Sequence, residues 1–204
     1  MPREGLLPLS TEDKDPTLKY TEVMISDLQI VIALQSFVTV LPGGRSIAAF
    51  CAQWLMYVFI GFTVFFSLEK SREQKRGYYE AIVSALIAFG ITYVVGHWFM
   101  RVRPFIAFPS LVIPFIDTPL TLYSMPSGHA TFAFALAASL SYVQRKLTPF
   151  VFTIAFFIAI GRVAVGVHYL SDVIVGASIG MTTALVLHSV TQKYFHKHSH
   201  FAKK

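Results

Sequence analysis

The sequence predicts an all-α integral membrane protein: a bundle of five transmembrane helices preceded by an amphipathic interfacial helix, with a short sixth span as the alternative for that first helix. Three observations lead there. Hydrophobic residues make up 54% of the 204 and charged residues only 14%, where a soluble domain carries about 25% charge. Three runs, Ser46 to Leu68, Ala81 to Met100 and Val173 to Gln192, contain no Asp, Glu, Lys or Arg, and each reaches the roughly 20 residues that a bilayer crossing needs. The net charge of +6 comes from basic residues held in short segments between apolar runs, which excludes the basic face that a nucleic-acid partner requires. The lone Cys51 excludes a disulfide framework and a cysteine metal site.

Residues 1–19, with Pro2, Pro8, Pro16 and mixed charges, read as a mobile tail that has no signal-peptide core. From Tyr20 to Leu41 the residues Glu22, Ser26, Gln29, Ala33 and Ser36 recur at helical spacing, a weakly polar stripe that favours a helix lying in the interface. Residues 20–192 form one membrane-embedded domain. Within it, Ser46 to Leu68 is the first span and Ala81 to Met100 the second. Ala130 to Gln144 and Leu147 to Gly161 are shorter, and become long enough when extended toward Pro126 and His168, the latter carrying Arg162 into the membrane. Val173 to Gln192 is the last span, and 193–204 is a basic tail. Lysines and arginines fix the orientation. Lys70, Arg72, Lys75, Arg76, Arg145, Lys146, Lys193, Lys197, Lys203 and Lys204 mark the cytoplasmic side. Alternation then puts residues 101–125 and the turn at His168 together on the extracytoplasmic side.

Ionisable groups at a membrane boundary are expensive, and here they gather at the outer ends of three spans. They are Arg101 and Arg103-Pro104, then Pro126-Ser127-Gly128-His129, then Gly161-Arg162 with His168 and Asp172. Singly, each has a plain reading: arginines anchor spans in headgroups, Ser127 caps a helix, and His168 with Asp172 four residues on makes a helix-face pair. Together they form a set suited to phosphoryl transfer. Arg103 and Arg162 offer planar forks of donors to phosphate oxygens. Ser127, Gly128 and the first-turn amides behind them form an anion site at a helix start. Asp172 can hold the ring N–H of His168, fix its tautomer and stabilise the cation formed on attack, which makes His168 the better nucleophile. His129 is then the general acid. No metal or other cofactor is required.

These motifs resemble the type 2 phosphatidic acid phosphatase superfamily, whose membrane lipid phosphatases share a fold with vanadium haloperoxidases. The family pattern is Lys, six residues, Arg-Pro; then Pro-Ser-Gly-His; then Ser-Arg, five residues, His, three residues, Asp. This chain matches it at Arg103-Pro104, Pro126 to His129, and Arg162, His168 and Asp172, over about residues 46–190. The resemblance implies the same roles for the two histidines. Two positions depart: the family lysine is Gly96 and the first serine of the third motif is Gly161. Arg101 and His97 are the candidates to fill the lysine's space, and His97 equally suits a plain interfacial role. The short length, the Arg103-Pro104-Phe105 run and the N-terminal interfacial helix resemble the bacterial undecaprenyl-diphosphate phosphatases of bacitracin resistance. That branch carries Asp at the position of Gly128.

Residues 105–125, apolar and broken by Pro109, Pro114 and Pro119, read as an interfacial loop beside the site. The expected substrate is an isoprenyl diphosphate, held at headgroup level with its chain in the membrane lipids of a bacterial cytoplasmic membrane. A phosphatase of phosphatidate or phosphatidylglycerophosphate is the nearest alternative. A haloperoxidase and a non-catalytic protein that binds lipid headgroups are more remote. The histidines of the tail, His196, His198 and His200, belong to a solvated cationic segment, and His188 is expected to be packed or hydrogen-bonded within its span.

Overall fold

The computed structural model describes residues 16–68, 70–118 and 123–201; within these, the side chains of 16–23, 72–73 and 195–201 are outside the description. The first fifteen residues of the N-terminal tail, Pro119, Lys203 and Lys204 therefore lie outside it, as do the side chains of Glu22 and the tail histidines. Helices make up all the regular structure among the described residues. They are α1 (Pro16–Val40), α2 (Gly44–Ala49), a π-helical turn (Phe50–Trp54), α3 (Leu55–Leu68), α4 (Arg72–Phe99), α5 (Pro104–Ala107), α6 (Gly128–Val143), a 3-10 turn (Arg145–Leu147), α7 (Thr148–Ala164) and α8 (Leu170–Phe201). The stretches Gly44–Leu68, Gln74–Ala107, Arg145–Ala164 and Leu170–Tyr194 are long and apolar enough to cross a membrane, and Met24–Val40 and Gly128–Val143 are shorter apolar helices.

Local chemistry sets the boundaries. Ser71 starts α4 as a capping box, its hydroxyl accepting from the Gln74 amide while the Gln74 side chain accepts from the Ser71 amide, both at 3.4 Å. Pro104 opens α5 at a position where its missing N–H costs nothing. Thus the proline-broken loop begins with one helical turn before regular structure ends. Gly166, at φ +80°, turns the chain between α7 and α8, a conformation other residues resist.

Helix α6 lies at the centre, packed on α4, α7 and α8. Small residues let these backbones meet, as expected where apolar helices must associate without help from water. Ala81, Ala85 and Ala88 of α4 and Ala133 and Ala137 of α6 are fully buried. Glycines of α8 let it approach α6 most closely: a Cβ at Gly180 would sit 2.3 Å from the Thr131 carbonyl oxygen, and one at Gly176 would sit 2.7 Å from that of Ser127. Large apolar side chains such as Trp54, Tyr57, Leu86, Phe157 and Val186 point outward, the arrangement for a lipid-facing surface.

Two elements differ from expectation. The first span is interrupted by the π turn. The last helix continues past Gln192 through most of the basic tail, since no helix breaker intervenes before Phe201. In α1 the stripe residues Ser26, Gln29, Ala33 and Ser36 do face outward, together with Met24, Ile25 and Phe37, whereas Asp27 and Gln35 are buried against the bundle. His188 is hydrogen-bonded, its Nδ1 3.0 Å from Glu80, and stacks on Tyr142 with ring centroids 4.2 Å apart.

Candidate active site

At one end of the bundle, a cavity of about 490 Å³ is lined by His129, His168, Arg103, Arg162, Gly128, His97 and Gly96, with Phe89, Tyr93, Tyr123 and Met125 among its apolar and aromatic walls. The three motifs thus share one space. His168 stands in the turn between α7 and α8 and is almost fully buried. Its Nδ1 lies 2.7 Å from the Ser124 carbonyl oxygen, which can only accept, so the ring proton sits on Nδ1 and the Nε2 lone pair is left for chemistry. Burial pushes its pKa down from 6.5 to about 4; the Asp172 carboxylate opposes this and the Arg162 guanidinium adds to it.

Asp172, in the first turn of α8, is fully buried and held on both oxygens. Oδ1 accepts from Arg101 at 2.8 Å, and Oδ2 accepts from the Tyr169 amide at 2.8 Å and from the Ser124 hydroxyl. The His168 Nδ1 is 3.7 Å from Oδ2. The expected direct bond from the ring N–H to Asp172 is therefore replaced: Ser124 puts its carbonyl on the ring and its hydroxyl on the carboxylate. Asp172 remains as the counter-charge behind the imidazole. Ser127 belongs to the same assembly, its amide donating to the Asp172 carbonyl at 3.0 Å.

The two motif arginines are placed by segments remote in sequence. Arg103 donates to Thr118 Oγ1 at 3.1 Å. Arg162, near the end of α7, donates from one terminal nitrogen to the Ala52 carbonyl at 3.1 Å. Ala52 is in the π turn, where the ordinary helical pairing of carbonyls is broken. The same packing accounts for the glycine that departs from the family motif: a Cβ at Gly161 would lie 2.9 Å from the Ala52 amide nitrogen, so a serine side chain has no room. The Nε of Arg162 and the hydroxyl of Ser127 are buried without a hydrogen-bond partner. With the unpaired first-turn amides of α6, they form donors suited to an oxyanion. The residues present can thus hold a phosphoryl group between cationic forks and a helix N-terminus, facing a neutral imidazole.

Gly96 does line the cavity where the family lysine would project. Arg101 does not fill that place. Its guanidinium is turned to Asp172 and to Asp27 of α1, at 2.8 and 2.9 Å, and lies 3.9 Å over the Tyr169 ring. His97 is the candidate that lines the cavity, with Nδ1 2.7 Å from the Tyr93 carbonyl. Sequence reasoning missed Ser124, Thr118, Asp27 and the Ala52 carbonyl. Of these only Asp27 carried a signal, a carboxylate inside an apolar helix.

Residues 77–196 match the PAP2 superfamily. The chain is 29% identical over 171 residues to decaprenylphosphoryl-5-phosphoribose phosphatase of Mycobacterium tuberculosis, covering 80% of this chain and 90% of that protein. It is 26% identical over 139 residues to bacitracin transport permease protein BcrC of Bacillus licheniformis, covering 67% and 66% respectively. Among solved structures, the PAP2-type phosphatidylglycerolphosphate phosphatase of Bacillus subtilis superposes with a TM-score of 0.60 at 21% identity, over 84% of this chain and 87% of that one. With more than half of its length matching, the chain belongs to the PAP2 superfamily and is a phosphatase of membrane lipid substrates.

Proposed function

We propose that the protein removes the terminal phosphate of undecaprenyl diphosphate at the outer face of a bacterial cytoplasmic membrane, giving undecaprenyl phosphate for reuse in wall synthesis. The observation that carries this reading is the cavity in which His168, His129 and two arginines meet beside an apolar aromatic wall. At about 490 Å³ it admits a headgroup and leaves a long isoprenoid chain in the bilayer. The relatives support a polyprenyl substrate through the decaprenylphosphoryl name of one and the bacitracin link of the other.

In this mechanism Arg103 and Arg162 neutralise the terminal phosphoryl oxygens, and the Ser127 hydroxyl and the amides at Gly128 complete the cradle. His168 Nε2 attacks phosphorus while the bond to the bridging oxygen breaks. His129 gives its proton to that oxygen, and undecaprenyl phosphate leaves. The Nδ1–H stays on the Ser124 carbonyl, and Asp172 balances the positive phosphohistidine. Water then attacks phosphorus, His129 takes its proton, the P–N bond breaks and phosphate is released.

The test is phosphate release by purified protein in detergent with a chelator present, comparing undecaprenyl diphosphate, phosphatidate and phosphatidylglycerophosphate. The diphosphate is expected to be the fastest, and chelator is expected to leave the rate intact. Much faster cleavage of either glycerolipid contradicts the substrate assignment, and loss of activity in chelator that a divalent ion restores contradicts the site. A decaprenylphosphoryl sugar phosphate belongs in the same comparison, because the relative with that name matches over most of its length.

A further inference from the structure

Asp27 lies on α1, outside the stretch that matches the superfamily, yet it is buried and engaged with the site. Its Oδ2 accepts from Arg101 at 2.9 Å and from the Ser171 hydroxyl, and its Oδ1 is 3.2 Å from the Ser171 amide. Arg101 in turn donates to Ser171 Oγ at 2.6 Å and to Asp172 Oδ1 at 2.8 Å, with the Tyr169 ring beneath it. Asp27 thus does two things at once. It supplies, from another helix, a carboxylate cap to the first turn of α8, where the helix dipole favours negative charge. It also clamps the second arm of the Arg101 fork, which fixes the arm on Asp172.

We infer that Asp27 and Arg101 are positioning residues for the reaction, a partly buried chain that runs from the N-terminal helix through Asp172 to the His168 nucleophile. This rests on the phosphohistidine reading above. Asp172 has only one oxygen edge toward His168, and that edge is shared with Ser124 and the Tyr169 amide. Arg101 occupies the other oxygen and so sets which way the carboxylate faces. Without Asp27 the guanidinium has a single carboxylate partner and a free arm, and it can rotate Asp172 away from the imidazole. Neither residue touches the phosphoryl group, so the effect falls on the chemical step and leaves substrate binding alone.

The experiment measures kcat, KM and detergent-solubilised thermal unfolding for the full chain with Asp27→Asn, Arg101→Gln and the double variant. Asp27→Asn is expected to lower kcat about tenfold, as loss of a hydrogen bond between charged groups does, with KM held and the chain still folded at the assay temperature, its unfolding midpoint lowered by the lost ion pair. In the Arg101→Gln background the same change is expected to add almost nothing, since the two act through one path. Wild-type kcat in Asp27→Asn, or losses that multiply in the double variant, overturns the inference. Ser171→Ala provides a second reading that keeps both charges: kcat falls at constant KM, and an unchanged kcat counts against the chain. His168→Ala run alongside separates the two claims. Turnover that persists without His168 overturns the phosphohistidine reading, whereas His168-dependent turnover with Asp27→Asn at full rate overturns the positioning chain alone.

Discussion

His168 and Ser124 make one hydrogen-bonded unit from residues 44 positions apart. The carbonyl of Ser124 holds the ring tautomer and its hydroxyl holds Asp172, so Ser124→Ala is expected to lower turnover about tenfold while the protein stays folded, because one bond to a buried charged group is lost. Unchanged kcat in that variant would assign Asp172 orientation to Arg101 and the Tyr169 amide alone. The buried imidazole also carries a pH prediction. Its pKa near 4 lies below the ordinary value, so the nucleophile stays neutral as pH falls through 6.5. Phosphoenzyme formation is therefore expected to persist down to about pH 5. A rate that follows a midpoint near 6.5 would contradict it. Gly96 offers a third test at this scale: a Cβ there makes only ordinary contact, 3.4 Å from the Met125 carbonyl, so Gly96→Lys is expected to lower KM by adding an ammonium to the cavity. That His168, His129, Arg103 and Arg162 share one cavity, with Asp172 behind His168, was legible because the three motifs have recognisable local spacing and residue type. Ser124 and Thr118 were not, because an isolated Ser or Thr in a loop has no pattern, and the tertiary fold alone decides what its oxygen meets.

Helices were legible to the extent that charge-free length defines them, and this held for the spans built on Ser46–Leu68, Ala81–Met100 and Val173–Gln192. The π turn at Phe50–Trp54 was hidden, since an apolar run reads the same whichever way its carbonyls pair. Yet it is this turn that presents Ala52 to Arg162 and closes the space beside Gly161. Helix α1 shows the limit of a stripe argument. The periodic weakly polar residues face outward, while the pair that break the pattern, Asp27 and Gln35, face the protein. Gln35 donates to the Ile113 carbonyl at 2.7 Å and packs against Gly166, tying the loop before the site to the turn that carries His168. The α6–α8 contact makes its own prediction. Gly180→Val places side-chain atoms where backbone already stands, so the helices must part, at a cost of about 1–3 kcal/mol or more. Thermal unfolding in detergent checks it, and a wild-type midpoint would mean that α8 can shift without loss.

Across the whole molecule, polarity is divided between two ends. One holds the motif cavity; near the other, Glu80, His188 and Tyr142 line a second cavity of about 280 Å³ that also includes Arg76 of the basic connection. Basic residues near that second end underlie the expected orientation, with the motif end outside. In a chain whose Cys51 is replaced by serine, Asp117→Cys is expected to react with an impermeant thiol reagent on intact cells, and Lys146→Cys only after the membrane is opened. The reverse pattern would turn the site to the cytoplasm. Rapid-quench trapping of protein-bound phosphate asks whether His168 carries the phosphoryl group. Labelled undecaprenyl diphosphate is mixed with wild type, His129→Ala and His168→Ala in the presence of chelator. An acid-labile, base-stable phosphoenzyme is expected on His168, accumulating in His129→Ala if loss of the acid slows release more than attack, and none in His168→Ala. Label found on His129, or equal label without His168, would contradict it.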